Sequence, residues 1–295
     1  MTVLPETVIE GVSFAAGDPV PRAEGGAAGA NIEATGLSGR RAVREGETLF
    51  SLSMRAAEGF DGRIFQEAGG IVAATFSSEN RFPSLAVRMA SALGIPSSAP
   101  AFDIQMACSA YPYAVYVASK ISADTGKSVV VVDGDVQSRL TDPSDPGTSQ
   151  IFSDASTVSI VKSSGRGESR FAFLSRYSEA LSCPSAGPVA MDGFGVFSFV
   201  AVEVSRFLKD FIAASPGADE AVFVPHQANM YMVRRLAKSL GLEGRMLETG
   251  GEYANPGSAS IPLTLAKKAR SGLHLLAGFG AGLSASAALV RYEGR

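Results

Sequence analysis

Twice in this chain an apolar, strand-like run stops at a reactive side chain and a helix begins. Ala101 to Ala107 leads into Cys108 and a helix expected over 109–123; Ala221 to Val224 ends at Pro225-His226, ahead of a helix over 228–240. Strands that alternate with helices can each bury a face on the other, so the pattern implies a layered α/β architecture. Val129 to Val132 is pure valine, as suits a strand covered on both faces. The recurrence predicts two similar halves, 1–165 with the cysteine and 166–295 with the histidine, divided within the polar stretch Lys162 to Arg170.

The remaining elements follow from pattern. A first strand is expected over 8–14, a Gly-, Ala- and Pro-rich loop over 15–41, and a helix over 49–60. A strand over 70–76 precedes a helix over 82–93, with Pro83 in its first turn. Further strands are expected over 155–161 and 171–176, a loop over 141–147, and helices over 194–214 and 261–269. Ser271 to Val290 carries no formal charge and is long enough to cross a bilayer. Gly278, Gly280 and Gly282 break it, which favours two buried strands, 273–277 and 284–291, joined by a glycine turn.

Composition narrows the function classes. The chain has 295 residues, 46% of them hydrophobic and 19% charged, a globular profile with ample core. A net charge of −3 gives no electrostatic reason to expect nucleic acid or membrane as a partner. The two cysteines, Cys108 and Cys183, have no CxxC spacing and make neither a disulfide framework nor a zinc site, so no metal is expected. Met1 to Glu10 holds Glu6 and Glu10 and no basic residue, unlike a signal peptide. A reduced, cytoplasmic setting is the simplest inference.

Three segments can carry chemistry. A thiol at a helix N-terminus faces unpaired N–H groups and the positive end of the dipole, so Cys108 is expected to have a depressed pKa. His226 lies in Val224-Pro-His-Gln-Ala-Asn229, and Asn255 opens Asn255-Pro-Gly-Ser-Ala-Ser-Ile-Pro262. A cysteine, a histidine and an asparagine on separate tight segments suit acyl-thioester chemistry. Each also has a plainer reading: buried small hydrophobe, helix-start polar residue, and Asn-Pro turn. His274, inside an apolar strand, reads as a core histidine. Asp133-Gly-Asp135 reads as a loop after a strand, and Arg234, Arg235 and Lys238 as a solvated helix face. Gly278-Phe-Gly-Ala-Gly282 lacks dinucleotide-loop spacing and leads to a strand rather than a helix.

Taken together, the segments resemble the ketoacyl-acyl-carrier-protein synthase III family of the thiolase-like fold. Thr35-Gly36-Leu37, Arg81-Phe-Pro-Ser84, the Cys108 elbow, Asp142 to Gly147, Phe152 to Ala155, Val224 to Asn229, Asn255 to Pro262 and Gly278 to Gly282 come in the family's order. The resemblance implies a five-layer αβαβα arrangement, a homodimer and a Cys–His–Asn site. Cys108 matches the acylated nucleophile, and His226 and Asn255 the pair that binds the extender carbonyl. Phe279 matches the aromatic beside the site. Ala281 matches the turn position whose N–H helps form the oxyanion hole. Phe82 matches the gate that closes the partner's acyl pocket. No permanently bound cofactor is implied; the substrates would be acyl-CoA or acyl-carrier-protein thioesters. The implied reaction is a decarboxylative condensation with a malonyl-type thioester; the chain's departures from the family pattern point to a specialised pathway. Alternatives are an acyltransferase on the same fold or a subunit of a heteromeric ketosynthase-like complex.

The chain departs from the family pattern at the rim. Ala30 and Ala34 stand where a coenzyme A-stacking tryptophan and an arginine are usual. Tyr231 replaces an arginine, and Pro256-Gly257 replaces Thr-Ser.

Overall fold

The structure, a computed structural model, describes residues 1–21 and 26–294. Its centre is an eight-stranded sheet in the spatial order Val222–Pro225, Gly272–Gly280, Gly282–Tyr292, Thr2–Ala16, Ala155–Ser178, Val129–Asp135, Ile71–Ala74 and Ala101–Ile104. The strand expected over 155–161 and the one expected over 171–176 are one continuous element, Ala155–Ser178. Its first part pairs with Val129–Asp135 and its last part with Gly282–Tyr292. The polar stretch proposed as a boundary is therefore a bulge within a strand: Pro5 pairs with Glu168 and Thr7 with Ser163, leaving the residues between to loop out.

Three apolar cores make the layers. Leu49, Leu52, Leu85 and Met89, on the helices Leu49–Ala57 and Leu85–Leu93, pack on Ile71, Ala73, Val130 and Val132. Val129, Val131, Val72 and Ala74 point the other way, onto Tyr111, Ala114 and Ala118 of the helix Ala110–Thr125. Ile261 and Leu265, from the helix Ser260–Lys268, share that middle core with Val224 and Leu276. Phe223, Leu275 and Ala277 face an outer core built with Phe199, Leu208 and Phe211 of the long helix that starts at Gly193, and with Val233 and Leu236 of the helix Met230–Ser239. Period-2 alternation in strands buried on both faces thus produces a layered α/β arrangement, with helices packed against both faces of the sheet.

Several local expectations are corrected. The stretch expected as loop over 15–41 contains a helix, Gly26–Thr35, whose alanines favour it despite two glycines; residues 22–25 of that stretch lie outside the described residues. The helix expected from Phe82 starts at Leu85. Ser84 caps it, and the Asp103 carboxylate accepts the Leu85 and Ala86 N–H groups at 2.9 and 2.8 Å. The valine strand extends to Asp135, so both aspartates of Asp133-Gly-Asp135 are strand residues rather than loop. The loop over 141–147 gives way to a helical turn at Pro146–Ser149. Ser271 to Val290 forms paired antiparallel strands, as expected, and they meet at Ala281. Among the described residues no helix is long and apolar enough to cross a membrane.

Candidate active site

Cys108 sits in a single 3-10 turn, Ala107–Ser109, between the strand Ala101–Ile104 and the helix Ala110–Thr125. Ala107 has a φ of 42°, a left-handed value rare outside glycine, so the elbow is sharp. The turn is pressed onto the strand Gly272–Gly280. A Cβ at Gly280 would lie 2.8 Å from Cys108 Cβ and 3.2 Å from its Sγ, and one at Gly278 would lie 2.8 Å from Ser109 Cα. Serines fasten the contact: Ser109 Oγ lies 2.7 Å from Ser284 Oγ, and Ser286 donates to the Ser109 carbonyl at 2.8 Å.

The electrostatics reverse the expectation for the thiol. Burial pushes Cys108 up to about 12, and the nearby Asp135 and Asp133 add to the shift. Only 5% of the residue is exposed, and lost solvation outweighs the end of the helix. At neutral pH the Cys108 thiol is therefore protonated. Cys183, by contrast, is exposed, and both thiols are free.

His226 continues the edge strand Val222–Pro225, with its N–H donating to the Ala277 carbonyl at 2.8 Å. Burial pushes its ring down to about 4, so it is neutral. Ser260 Oγ lies 2.9 Å from Nδ1 and also accepts the Gln227 N–H at 3.2 Å. Gln227 in turn donates to the Pro225 carbonyl at 2.7 Å and accepts the Thr249 N–H at 2.9 Å. Asn229 caps the following helix through Met232 N. The Phe279 ring meets His226 edge-on, with centroids 5.6 Å apart.

Asn255 follows Ala254, which has a φ of 50°. Its backbone is held on both sides: its N–H donates to the Ile151 carbonyl at 3.1 Å, and its carbonyl accepts Ser153 N at 3.0 Å and Gln137 Nε2 at 3.1 Å. Its Oδ1 accepts Gly257 N at 3.0 Å, while Nδ2 makes only a long contact of 3.5 Å to the Ala228 carbonyl. The amide is thereby oriented with donor capacity to spare.

Cys108, His226, Asn255, Phe279 and Gly280 line one cavity of about 120 Å³. Cys108 also lines a second cavity of about 610 Å³, with Ala281, Phe76, Arg81 and Cys183 on its wall. Of the residues expected at the site, the structure brings together Cys108, His226, Asn255 and Phe279 at the first cavity, and Ala281 joins Cys108 at the second. Phe82 is not among them: it is 86% exposed and lines neither cavity. His274 is a core residue, as expected, edge-on to Tyr292 at 5.6 Å. Ala34, Tyr231, Arg234, Arg235 and Lys238 line a separate groove of about 370 Å³. Arg234 pairs with Glu248, and Arg235 donates to the Tyr231 hydroxyl at 2.9 Å.

The model of the family described as 3-Oxoacyl-[acyl-carrier-protein (ACP)] synthase III matches residues 102–179, and that of its C-terminal region matches residues 216–292. A curated beta-ketoacyl-[acyl-carrier-protein] synthase III from Salmonella arizonae is 32% identical over 88% of this chain and 90% of its own length. The chain belongs to the 3-oxoacyl-[acyl-carrier-protein] synthase III family. Solved structures agree. A 3-oxoacyl-(acyl-carrier protein) synthase from Burkholderia xenovorans LB400 superposes with a TM-score of 0.90 at 25% identity, over 99% of this chain and 95% of that one. A synthase III from Aquifex aeolicus VF5 gives 0.83 at 26%, over 97% and 100%. The family places the chain among transferases that act as condensing enzymes.

Sequence reasoning missed the residues that aim the site: Ser260, Gln227 and Gln137. Ser260 and Gln227 stand inside the quoted segments, but nothing in residue type separates an aiming serine from a turn serine.

Proposed function

We propose that Cys108 is acylated by an acyl thioester and that the enzyme then condenses this group with a malonyl-type thioester. The observation that carries the reading is the shared cavity of Cys108, His226 and Asn255. In the first half-reaction the Cys108 sulfur attacks the donor carbonyl, with the N–H groups of Cys108 and Ala281 holding the oxyanion. The donor's C–S bond breaks, and the proton lost by Cys108 ends on the leaving thiol.

In the second half-reaction the malonyl-type thioester loses carbon dioxide, and its carbonyl oxygen takes up the developing enolate charge. A neutral imidazole that accepts at Nδ1 carries its hydrogen on Nε2. The Ser260 hydroxyl can donate to Nδ1 while its oxygen accepts Gln227 N–H. His226 Nε2–H and Asn255 Nδ2–H then bind the enolate oxygen, each contributing about 3 kcal/mol to the transition state. The carbanion attacks acyl-Cys108, the C–S bond breaks, Cys108 regains a proton, and a β-ketoacyl thioester leaves.

The rim supports a donor other than free acyl-CoA. Ala30 is exposed and cannot stack on a purine. An aromatic–base stack is worth roughly 1–3 kcal/mol in nucleic-acid-binding proteins, so its loss weakens coenzyme A about five- to a hundredfold. A carrier-borne donor in a specialised pathway fits this better. A homodimer, in which the exposed Phe82 covers the partner's cavity, completes the reading.

Intact-mass spectrometry with one acyl group on coenzyme A and on a carrier protein tests the first half-reaction. Better acylation from the carrier, on Cys108 alone, is the expected result. Labelled malonyl thioester tests the second: Asn255→Ala is expected to lower decarboxylation about 10²–10³-fold. Wild-type decarboxylation by Asn255→Ala would favour simple acyl transfer instead.

A further inference from the structure

Asp133 is a carboxyl without a place in this mechanism. It lies on the strand Val129–Asp135 of the half that carries Cys108, and none of it is exposed. Oδ1 accepts the Ser258 hydroxyl at 2.6 Å; Oδ2 has no hydrogen-bond partner among the described residues. A buried carboxyl with one oxygen unpaired is costly, and an apolar residue there would avoid that cost. What Asp133 gains is a bond across the two halves of the molecule, to the middle of the segment 255–260.

Both proposed carbonyl donors depend on that segment. Asn255 begins it, and its Oδ1 is held by Gly257 N at 3.0 Å. Ser260 ends it, 2.9 Å from His226 Nδ1. Ser258 stands between them. The segment also packs closely on the first half at Gly257, where φ is 64° and a Cβ would lie 3.3 Å from Gln137 Nε2 and 3.5 Å from Asp135 Oδ2.

We propose that Asp133 is a positioning residue for condensation: by holding Ser258 it sets the orientation of Asn255 and, through Ser260, of His226. This rests on the roles given above to His226 and Asn255. Burial raises the Asp133 carboxyl well above the usual carboxylate range. The amide of asparagine keeps an oxygen that can accept the Ser258 hydroxyl.

Asp133→Ala and Ser258→Ala each remove the bond from one side. Each is expected to lower malonyl decarboxylation about tenfold while Cys108 acylation stays within about threefold of wild type, and the double variant is expected to be no slower than Asp133→Ala. Asp133→Asn, which keeps the acceptor, is expected to restore decarboxylation to within about threefold of wild type. An Asp133→Asn enzyme as slow as Asp133→Ala overturns the proposal. So do equal losses in acylation and decarboxylation, the mark of general loosening. If Asp133→Ala does not fold, Ser258→Ala and Asp133→Asn decide the question. Asn255→Ala, run beside them, separates the two levels. If it is slow while Asp133→Ala and Ser258→Ala run at the wild-type rate, only the latch is wrong. If it decarboxylates normally, the reading of the site fails and the latch falls with it.

Discussion

Cys108 and Asn255 each follow an alanine of positive φ, 42° at Ala107 and 50° at Ala254, yet different forces hold the two side chains. Serine bonds at Ser109 fasten the turn of the cysteine, but the Cys108 side chain itself is held by shape. Its turn lies against the backbone of Gly278 and Gly280, so closely that neither position has room for a Cβ. The His226–Asn255 face is held by hydrogen bonds: Ser260, which accepts Gln227 N–H, meets His226, and Gln137 and Gly257 N–H donate to Asn255. The difference matches the demands of the proposed roles. A nucleophile must reach one point and tolerate burial. Donors to a developing charge must also be aimed, and aim requires directional bonds.

The two sides should therefore break in different ways. The largest effect concerns the burial of the thiol. Alkylation of Cys108 follows its thiolate fraction, so with the thiol near 12 the rate is expected to rise tenfold per pH unit, about a thousandfold from pH 7 to 10. The exposed Cys183 is expected to react first in the resting protein. A Cys108 rate that levels off below pH 8 would restore the activated, helix-end thiol and undo the contrast.

Gly280→Ala strikes the shape-held side. Its Cβ must displace Cys108, and overpacking of this kind costs about 1–3 kcal/mol. Slower acylation and a lower urea midpoint are expected together; unchanged acylation would mean that the glycine contact does not set the thiol. Ser260→Ala strikes the hydrogen-bonded side with a smaller effect. His226 loses its Nδ1 partner, a bond worth about 1 kcal/mol, so decarboxylation should fall roughly fivefold. Its acylation step should be spared. If acylation fell as far as decarboxylation, the division between the two sides would not hold.

Much of this was legible in the chain. Unbroken valine at 129–132 suited a strand covered on both faces, and the glycines at 278–282 marked a turn between two buried strands. The segments carrying Cys108, His226 and Asn255 were each visible as a turn beside a regular element. The helix at Gly26–Thr35 was hidden because its glycines argue against it locally, and its buried Ile32 and Thr35 support it only once the rest of the fold is in place. The continuous strand Ala155–Ser178 was hidden because its polar middle lies in the bulge, where no core rewards apolar residues.

Periodicity, turn chemistry and residue type are local quantities, and they determined the elements and the reactive side chains. Solvation and distance are not local. Only the packed molecule decided that Cys108 is a buried, protonated thiol rather than an activated one, because its pKa depends on the water removed by neighbours and on Asp133 and Asp135 from another strand. Only the packed molecule joined residues 108, 226 and 255 at one cavity, and only it set Ser260 behind the histidine.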